Sequence, residues 1–294
     1  MSVSRLGYIT LGNPNPSDWE TFGRDVLGTM SHANEAGDIC LKVDDHPFRI
    51  RIVKHDAAEL VGSGWEVDDL EAYESLINKF KEHGADIRQG SEAEAQRRCV
   101  TKFFSSVDPA GNSFDIYYKR TDVGDRFQSS VDVSQFITGD LGMGHVVIPA
   151  PNLDETRSFY ENFLGLQLSD DLTMPGGPPG APDIHIYFFH ANNPRHHSLA
   201  LFNQPVPSKI VHFMLEVSNV DEVGKCLDRV NDAGLSLMAS LGRHCNDNML
   251  SFYVFGPGQI PVEYGYDGFQ LDPDTYQPTT STKGDHWGHA YTMP

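Results

Sequence analysis

The sequence predicts an α+β protein made of two similar modules in tandem, each with a curved mixed sheet. A strand, a helix and a terminating glycine occur twice, and Gly7 and Gly28 recur as Gly144 and Gly165 at an offset of 137 residues. Each copy continues with a second strand and helix and closes with two strands around a turn. A repeat of this length indicates a duplicated module rather than a solenoid of short units.

The elements of each copy follow from apolar periodicity and from the Leu-Gly pairs that end the first helix. The first copy is predicted to contain strands and helices, in order, at residues 6–10, 18–26, 64–67, 68–80, 101–107 and 114–118. The second copy is predicted to contain the same elements at residues 143–148, 154–163, 214–217, 220–230, 250–255 and 260–266.

Glycine and serine pairs interrupt the pattern near residues 125–138. We place the module boundary there, which gives an N-terminal module of residues 1–133 and a C-terminal module of residues 134–294. Residues 174–182 contain too much Pro and Gly for a helix or strand and are predicted to form a loop. The tail from residue 272 to 294 is polar and weakly patterned.

The composition excludes several classes of partner. The 294 residues carry 41 acidic and 22 basic side chains, a net charge of −19, which repels nucleic acid and anionic lipid. No apolar run approaches the roughly 20 residues that span a bilayer. The four cysteines include no C-x-x-C pair, and the N-terminus lacks a signal-peptide pattern. We therefore expect a cytoplasmic protein with reduced cysteines.

Three polar residues of the second copy lie within apolar strand patterns: His145, His212 and Glu263. Burying an imidazole or a carboxylate in such a strand is costly unless something pairs with it. A single buried histidine is more often a hydrogen-bonded core residue, but three such residues in three strands favour a metal ion. Two histidines and one carboxylate form the facial ligand set of non-haem iron(II) oxygenases.

The first copy provides an internal control for this interpretation. The repeat alignment places Tyr8, Gly62 and Asp115 at the positions of the two histidines and the glutamate. Because these residues differ, the fold itself does not require the triad. The sequence therefore predicts one metal site, in the second copy.

Five motifs of the second copy carry a more specific signal. They are LGMGH, RHHSLA, VHFMLE, GRHCNDNMLSFY and EYG, at residues 141–145, 195–200, 211–216, 242–253 and 263–265. In this order they resemble the two-domain type I extradiol catechol dioxygenases of the vicinal oxygen chelate superfamily, closest in pattern to 2,3-dihydroxybiphenyl and 1,2-dihydroxynaphthalene dioxygenases. The resemblance implies two vicinal-oxygen-chelate modules, each built from paired βαβββ units.

The resemblance also implies an activity, namely opening of a catechol ring beside its diol with O2. The implied ligands of Fe(II) are His145, His212 and Glu263. Mn(II) is an alternative because nitrogen and oxygen donors suit both ions. Homo-oligomers are common in this family, so a homo-oligomer is expected.

Further residues are implied to act around the substrate. His197 matches the acid–base histidine that lies beside bound oxygen, and His244 and Tyr253 match residues that hydrogen-bond the substrate hydroxyls. The implied substrate-binding residues are Val147, Phe189, Asn246 and Asp247, of which Asn246 and Asp247 belong to the segment that supports His244.

Two departures bear on substrate choice. Val211 stands where several relatives have His or Asn, and the 174–182 loop is longer than expected. The motifs favour a biaryl or bicyclic catechol. A glyoxalase-like metal isomerase on the same scaffold and a non-catalytic aromatic- or metal-binding module remain alternatives. His286 and His289 in the tail are expected at the surface.

Overall fold

The computed structural model describes residues 2–121, 125–177 and 180–292, and its strands form two mixed sheets. The strands of the first sheet are β1 (Arg5–Asn13), β2 (Met30–Ala33), β3 (Ile39–Lys42), β4 (Ile50–Lys54), β5 (Glu59–Val67), β6 (Arg88–Gln89), β7 (Val100–Val107) and β8 (Ser113–Arg120). They are ordered β2-β3-β4-β1-β5-β8-β7-β6.

The second sheet has ten strands in the part of the chain that the structure describes. They are β9 (His145–Pro149), β10 (Gln167–Met174), β11 (Ile184–His190), β12 (Leu199–Phe202), β13 (His212–Val217), β14 (Leu237–His244), β15 (Leu250–Phe255), β16 (Pro261–Tyr266), β17 (Thr279–Ser281) and β18 (Asp285–Trp287). They are ordered β17-β10-β11-β12-β9-β13-β16-β15-β14-β18.

The two sheets share a topology, which confirms the predicted fold class. In the first sheet β1 pairs antiparallel with β5 and β5 pairs parallel with β8, and in the second β9, β13 and β16 pair in the same way. The strand registers match position by position. The equivalent residues of the two sheets are Tyr8 and His145, Gly64 and Met214, and Asp115 and Glu263.

Within the described residues, five α-helices lie among the strands. They are α1 (Ser17–Thr21), α2 (Leu70–Glu82), α3 (Glu92–Arg97), α4 (Leu153–Phe159) and α5 (Val220–Asp232). The N-caps of α2 and α5 are Asp69 and Asn219, whose side chains accept hydrogen bonds from backbone N–H groups of the first turn. Among the helices that the structure describes, none is long and apolar enough to cross a membrane.

The predicted helices at 18–26 and 154–163 each form in two parts. The α-helical parts α1 and α4 widen into π-helical turns at Phe22–Leu27 and Tyr160–Leu164. Each turn ends at a glycine with positive φ, 79° at Gly28 and 68° at Gly165, as the Leu-Gly pairs predict. The widened turn is not visible in the apolar spacing, yet both copies have it at the same place.

The C-terminal tail is more ordered than its composition predicts. Strand β17 pairs parallel with β10 at one edge of the second sheet, and β18 pairs antiparallel with β14 at the other edge. We call residues 279–289 the C-terminal strap. The predicted loop at 174–182 starts at residue 175 in the structure, because Met174 is the last residue of β10. Residues 178 and 179 of this loop lie outside the described part of the chain.

An aromatic cluster joins helix α2, strand β8 and the helical segment that begins with α4. The ring of Phe80 lies 4.8 Å from that of Phe163 and 6.0 Å from that of Phe159, and Phe114 lies 5.9 Å from Phe159. Phe80 is fully buried. Offset and edge-to-face packing of this kind stabilises beyond the buried area alone.

We predict that Phe80→Ala lowers the free energy of unfolding by about 3–5 kcal/mol, because it removes a fully buried ring from this cluster. Urea unfolding followed by circular dichroism measures the change. The control is Leu70→Ala on the same helix, whose 38% exposed side chain predicts a change within about 0.5 kcal/mol. Equal effects of the two substitutions would contradict the assignment.

Candidate metal centre

The three predicted ligand side chains converge on one point inside the second sheet. Neighbouring strands β9, β13 and β16 carry His145, His212 and Glu263, respectively. The Nε2 atoms of the two histidines are 3.1 Å apart, and Glu263 Oε2 lies 3.0 Å from His145 Nε2 and 3.2 Å from His212 Nε2. The side chain of His212 is 11% exposed, whereas those of His145 and Glu263 are almost completely buried.

These three atoms fit a divalent cation. Two donors in cis positions of an octahedron, each about 2.1 Å from the metal, are about 3 Å apart, which matches all three distances. Among the described residues, none gives Glu263 Oε2 a hydrogen bond of normal geometry, although this atom is buried. A buried carboxylate oxygen facing two imidazole nitrogens without such bonds is stabilised by a shared positive charge.

Glu263 is held in place by a residue of the neighbouring strand. The hydroxyl of Ser251, on β15, donates a 2.6 Å hydrogen bond to Glu263 Oε1. This bond leaves Oε2 directed at the two histidines. Ser251 was not predicted from the sequence, although it lies two residues before Tyr253 and therefore on the same face of β15.

The electrostatics favour an ionised carboxylate of Glu263 beside a neutral imidazole of His212. Burial raises the pKa of Glu263, but the approaching imidazoles of His145, His212 and His244 outweigh it and hold the pKa well below its usual range. Burial lowers the pKa of His212. A neutral imidazole offers a lone pair and a carboxylate offers a negative charge, which together are the donors a metal requires.

His197 lies directly beside this cluster. Its ring stacks on that of His145 at a centroid distance of 4.1 Å, and its Nδ1 is 3.1 Å from His196 Nδ1 and 3.7 Å from Asp247 Oδ2. Burial, followed by the proximity of His145, lowers the pKa of His197 well below its usual value. His197 is therefore a neutral, water-shielded imidazole next to the candidate metal position.

His244 and Tyr253 approach the cluster from its other side. The phenol oxygen of Tyr253 lies 2.7 Å from His244 Nε2, which is 3.4 Å from Glu263 Oε1. Burial raises the pKa of Tyr253 far above its usual value, so its hydroxyl stays protonated. Burial lowers the pKa of His244, but hydrogen bonds to Asp285 and Glu263 outweigh this and raise it. Both groups can therefore form hydrogen bonds beside the triad.

The prediction that Phe189 faces the ring is wrong. Phe189 is fully buried in the main hydrophobic core, on the opposite face of β11 from the site. Its neighbour Phe188 lies in a small apolar cluster with Val147 and Ala200, and its ring is 4.9 Å from that of His197. Side chains alternate along a strand, so only one of two consecutive phenylalanines can face the site.

The two residues of the Asn-Asp pair occupy different surroundings. Asp247 is buried beside His197, and its Oδ1 accepts a hydrogen bond from the backbone of Met249. Asn246 Oδ1 accepts a hydrogen bond from the backbone N–H of Asp247. The structure thus brings Asp247 to His197, while Asn246 braces the turn after His244.

Two residues of the C-terminal strap also reach the site. Asp285 Oδ1 lies 2.8 Å from His244 Nδ1 and 2.5 Å from His289 Nδ1. Burial raises the pKa of Asp285, but the hydrogen bonds with His244 and His289 lower it to about 2. His289 is buried, so the expectation that it lies at the surface is wrong, whereas His286 is exposed as predicted.

The corresponding place in the first sheet contains a different charge arrangement. The carboxylate of Asp115 accepts hydrogen bonds from Tyr8 at 2.8 Å, Arg98 Nε at 2.7 Å and Ser105 at 2.6 Å. The guanidinium of Arg98 supplies the positive charge that the carboxylate needs. No histidine stands at the equivalent positions, which agrees with a single metal site in the second module.

Family models match both halves of the chain. Residues 142–264 match the Glyoxalase/Bleomycin resistance protein/Dioxygenase superfamily, and residues 6–54 match the Dihydroxybiphenyl dioxygenase BphC D1 family. The first match covers β9 to β16 almost completely and includes all three converging side chains.

Relatives match over the full length. The chain is 35% identical to biphenyl-2,3-diol 1,2-dioxygenase from Metapseudomonas furukawaii, over 98% of this chain and 94% of the relative. It is 34% identical to an iron-dependent extradiol dioxygenase from Rhodococcus jostii strain RHA1, over 100% and 99%. A crystal structure of BphC, a halotolerant catechol dioxygenase, superposes with a TM-score of 0.91 at 29% identity, over 99% and 95%. The chain belongs to the extradiol ring-cleaving dioxygenases of the vicinal oxygen chelate type.

We predict that Ser251→Ala lowers the affinity for ferrous ion about 10- to 100-fold, because Glu263 loses the hydrogen bond that orients it. Anaerobic titration of metal-free protein with ferrous ion measures this affinity. The control is Ser158→Ala, an exposed serine of α4, which should leave the affinity unchanged. An unaltered affinity in Ser251→Ala would contradict the positioning role.

Proposed function

We propose that the protein opens the ring of a biaryl or bicyclic catechol beside its diol, with O2, at iron(II) held by His145, His212 and Glu263. The observation that carries this proposal is the convergence of three donor atoms at mutual distances of 3.0–3.2 Å. The donor set leaves one side open for two hydroxyl oxygens and O2.

The donor atoms of the triad and the name of one full-length relative together support iron as the bound metal ion. Nitrogen and oxygen donors suit both iron(II) and manganese(II), but a full-length relative is named as iron-dependent. When bound, the metal would lower the pKa of a coordinated hydroxyl and bring both reactants within reach of each other.

His244 and Tyr253 are proposed to orient the diol. The side chains of His212 and His244 keep 11% and 16% of their exposure, and the ring of Tyr253 lies 5.0 Å from that of His212. A substrate that reaches His212 from solvent would therefore also meet His244 and Tyr253. The protonated phenol of Tyr253 can donate a hydrogen bond to a substrate oxygen, and His244 Nε2 can exchange a proton with a hydroxyl. Together they would fix the ring relative to the triad.

His197 is proposed as the acid–base group. It is neutral because burial lowers its pKa, so it can accept a proton from the substrate and return it later. Asp247 lies near its Nδ1 and would stabilise the charged form that appears during transfer. The ring of Phe188 lies 4.9 Å from that of His197 and belongs to an apolar cluster with Val147 and Ala200, which would exclude water from this side.

The substrate class is inferred from the relatives and from the apolar lining. Several full-length relatives at 35–36% identity are named biphenyl-2,3-diol 1,2-dioxygenases. We propose that Val147 and Phe188 contact the substrate ring. Asn246 and Asp247 would support the polar side of the substrate site. A glyoxalase-like isomerase would not need the His197 and His244–Tyr253 groups that flank the triad here.

We predict that His145→Ala and Glu263→Ala each lose bound iron and ring-cleaving turnover, because each removes one of three donors from a buried site. Iron content by atomic absorption and product formation by absorbance measure the two losses. A variant that lacks either side chain yet retains iron and full turnover would disprove the ligand assignment.

We predict that His197→Phe keeps its iron but lowers kcat about 10²- to 10⁴-fold, the usual contribution of a positioned acid–base group. The matched control is His185→Phe, a partly exposed histidine bonded to Asp171 away from the triad, which should keep normal turnover. Unchanged kcat in His197→Phe would refute the role in proton transfer.

One experiment separates the proposed function from its alternatives. Protein loaded anaerobically with ferrous ion is mixed with 2,3-dihydroxybiphenyl, 1,2-dihydroxynaphthalene or catechol, and air is then admitted. The proposal expects a coloured ring-fission product, formed faster from the two larger diols. Iron binding without any product would favour a binding module, and no affinity for iron or manganese would exclude the metal site.

We further infer that the module boundary lies at residues 133 and 134. Strands of the first sheet lie within 5–120 and those of the second within 145–287. Between them, Val133 packs close to Gly28, whereas Phe136 forms a bridge with Val217. The chain thus changes from one module to the other within a few residues.

A further inference from the structure

The C-terminal strap connects the two edges of the second sheet. At one edge, Thr279 and Ser281 donate hydrogen bonds of 2.5 and 3.1 Å to the carboxylate of the fully buried Asp170. At the other edge, Cys245 N–H donates to the carbonyl oxygen of Gly284 at 3.0 Å. The intervening residues therefore pass from one edge of the curved sheet to the other.

The strap lies unusually close to strand β14. A Cβ on Gly288 would be 2.2 Å from the carbonyl oxygen of Leu241, and a Cβ on Gly242 would be 2.5 Å from the backbone nitrogen of His289. Gly288 also has a φ of 77°, which other residues rarely adopt. Two glycines facing each other thus permit a backbone contact that any side chain would prevent.

This close contact places Asp285 and His289 at the candidate active site. Asp285 Oδ1 accepts from His244 Nδ1 at 2.8 Å and from His289 Nδ1 at 2.5 Å. The ring of His289 lies 4.3 Å from that of His244 and 5.5 Å from that of Tyr253. One carboxylate from the strap therefore bridges a proposed substrate-binding histidine and a second histidine packed against it.

We propose that the C-terminal strap is part of the active site and that Asp285 is a positioning residue for His244. A carboxylate can only accept, so the bond keeps a hydrogen on His244 Nδ1 and directs Nε2 toward Tyr253 and the substrate. This inference rests on the proposed function, because the role of His244 toward a diol is part of it. Asp285 itself touches neither the triad nor the substrate position.

The arrangement resembles other histidines that are held by a carboxylate. A carboxylate bonded to one ring nitrogen fixes both the tautomer and the ring orientation, and where the histidine is a metal ligand the loss of that carboxylate typically costs 10- to 100-fold in activity or metal affinity. The triad residues make no contact with Asp285. Removal of its carboxylate should therefore lower turnover and leave iron retention unchanged.

The first readout does not depend on turnover. In metal-free protein, proton NMR should show a slowly exchanging downfield resonance from the His244 Nδ1 hydrogen. We expect this resonance to be absent from both Asp285→Ala and His244→Ala and present in His286→Ala. His286 is an exposed strap residue and serves as the matched control. Persistence of the His244 resonance in Asp285→Ala would overturn the proposal.

The second readout is kinetic and uses iron-loaded protein. Asp285→Ala should lower kcat/KM about 10- to 100-fold at unchanged iron content, and Asp285→Asn, which keeps the side-chain volume, should give a loss in the same direction if the alanine variant is unstable. In a His244→Ala background, Asp285→Ala should cause no further loss, because the carboxylate acts through that histidine.

The outcomes separate the two proposals. Additive losses in the double variant, or full activity in Asp285→Ala and Asp285→Asn, would overturn the positioning role while the proposed function stands. If the unchanged iron-loaded protein cleaves no diol, the proposed function fails, and the NMR readout still shows whether Asp285 holds the His244 hydrogen.

Discussion

The structure depends on one electrostatic constraint: a buried carboxylate and two imidazole nitrogens meet inside a curved sheet at mutual distances of about 3 Å. A buried carboxylate costs free energy unless a cation neutralises its charge. Strand pairing enforces the meeting, because Met214 lies opposite His145 on one side and beside Glu263 on the other. Strand pairing thus brings the three donor-bearing positions together.

The first module shows how the same scaffold meets this constraint without a metal. Asp115 stands at the position of Glu263, but its carboxylate is neutralised by the guanidinium of Arg98 and hydrogen-bonded by Tyr8. A guanidinium fixes one carboxylate through directional hydrogen bonds and leaves no open coordination position. The duplicated fold therefore keeps a charge pair in one copy and a candidate reaction centre in the other.

The parts of the site that the sequence predicts are those that local patterns encode. The triad stands out because polar residues interrupt apolar strands, and the alignment of the repeated elements gives the correct partner positions in the first module. Phe189 was assigned wrongly because it follows Phe188 in a continuous apolar run, where strand alternation cannot be read. Ser251 could have been found by alternation from Tyr253.

Other parts of the fold and the site depend on tertiary contacts, which cannot be predicted from local sequence patterns. Strands β17 and β18 are three residues long and, apart from Trp287, polar, and they form only because the edges of the second sheet offer partners. The burial of His289 and the contact of Asp285 with His244 follow from that docking. The π-helical turns after α1 and α4 likewise leave the apolar spacing unchanged.

The most direct test of the central claim is anomalous diffraction at the iron absorption edge from crystals of ferrous-loaded protein. The account predicts one strong peak per chain, within bonding distance of His145 Nε2, His212 Nε2 and Glu263 Oε2, and none beside Asp115. A peak elsewhere, a peak in both modules, or no peak in iron-saturated crystals would contradict it.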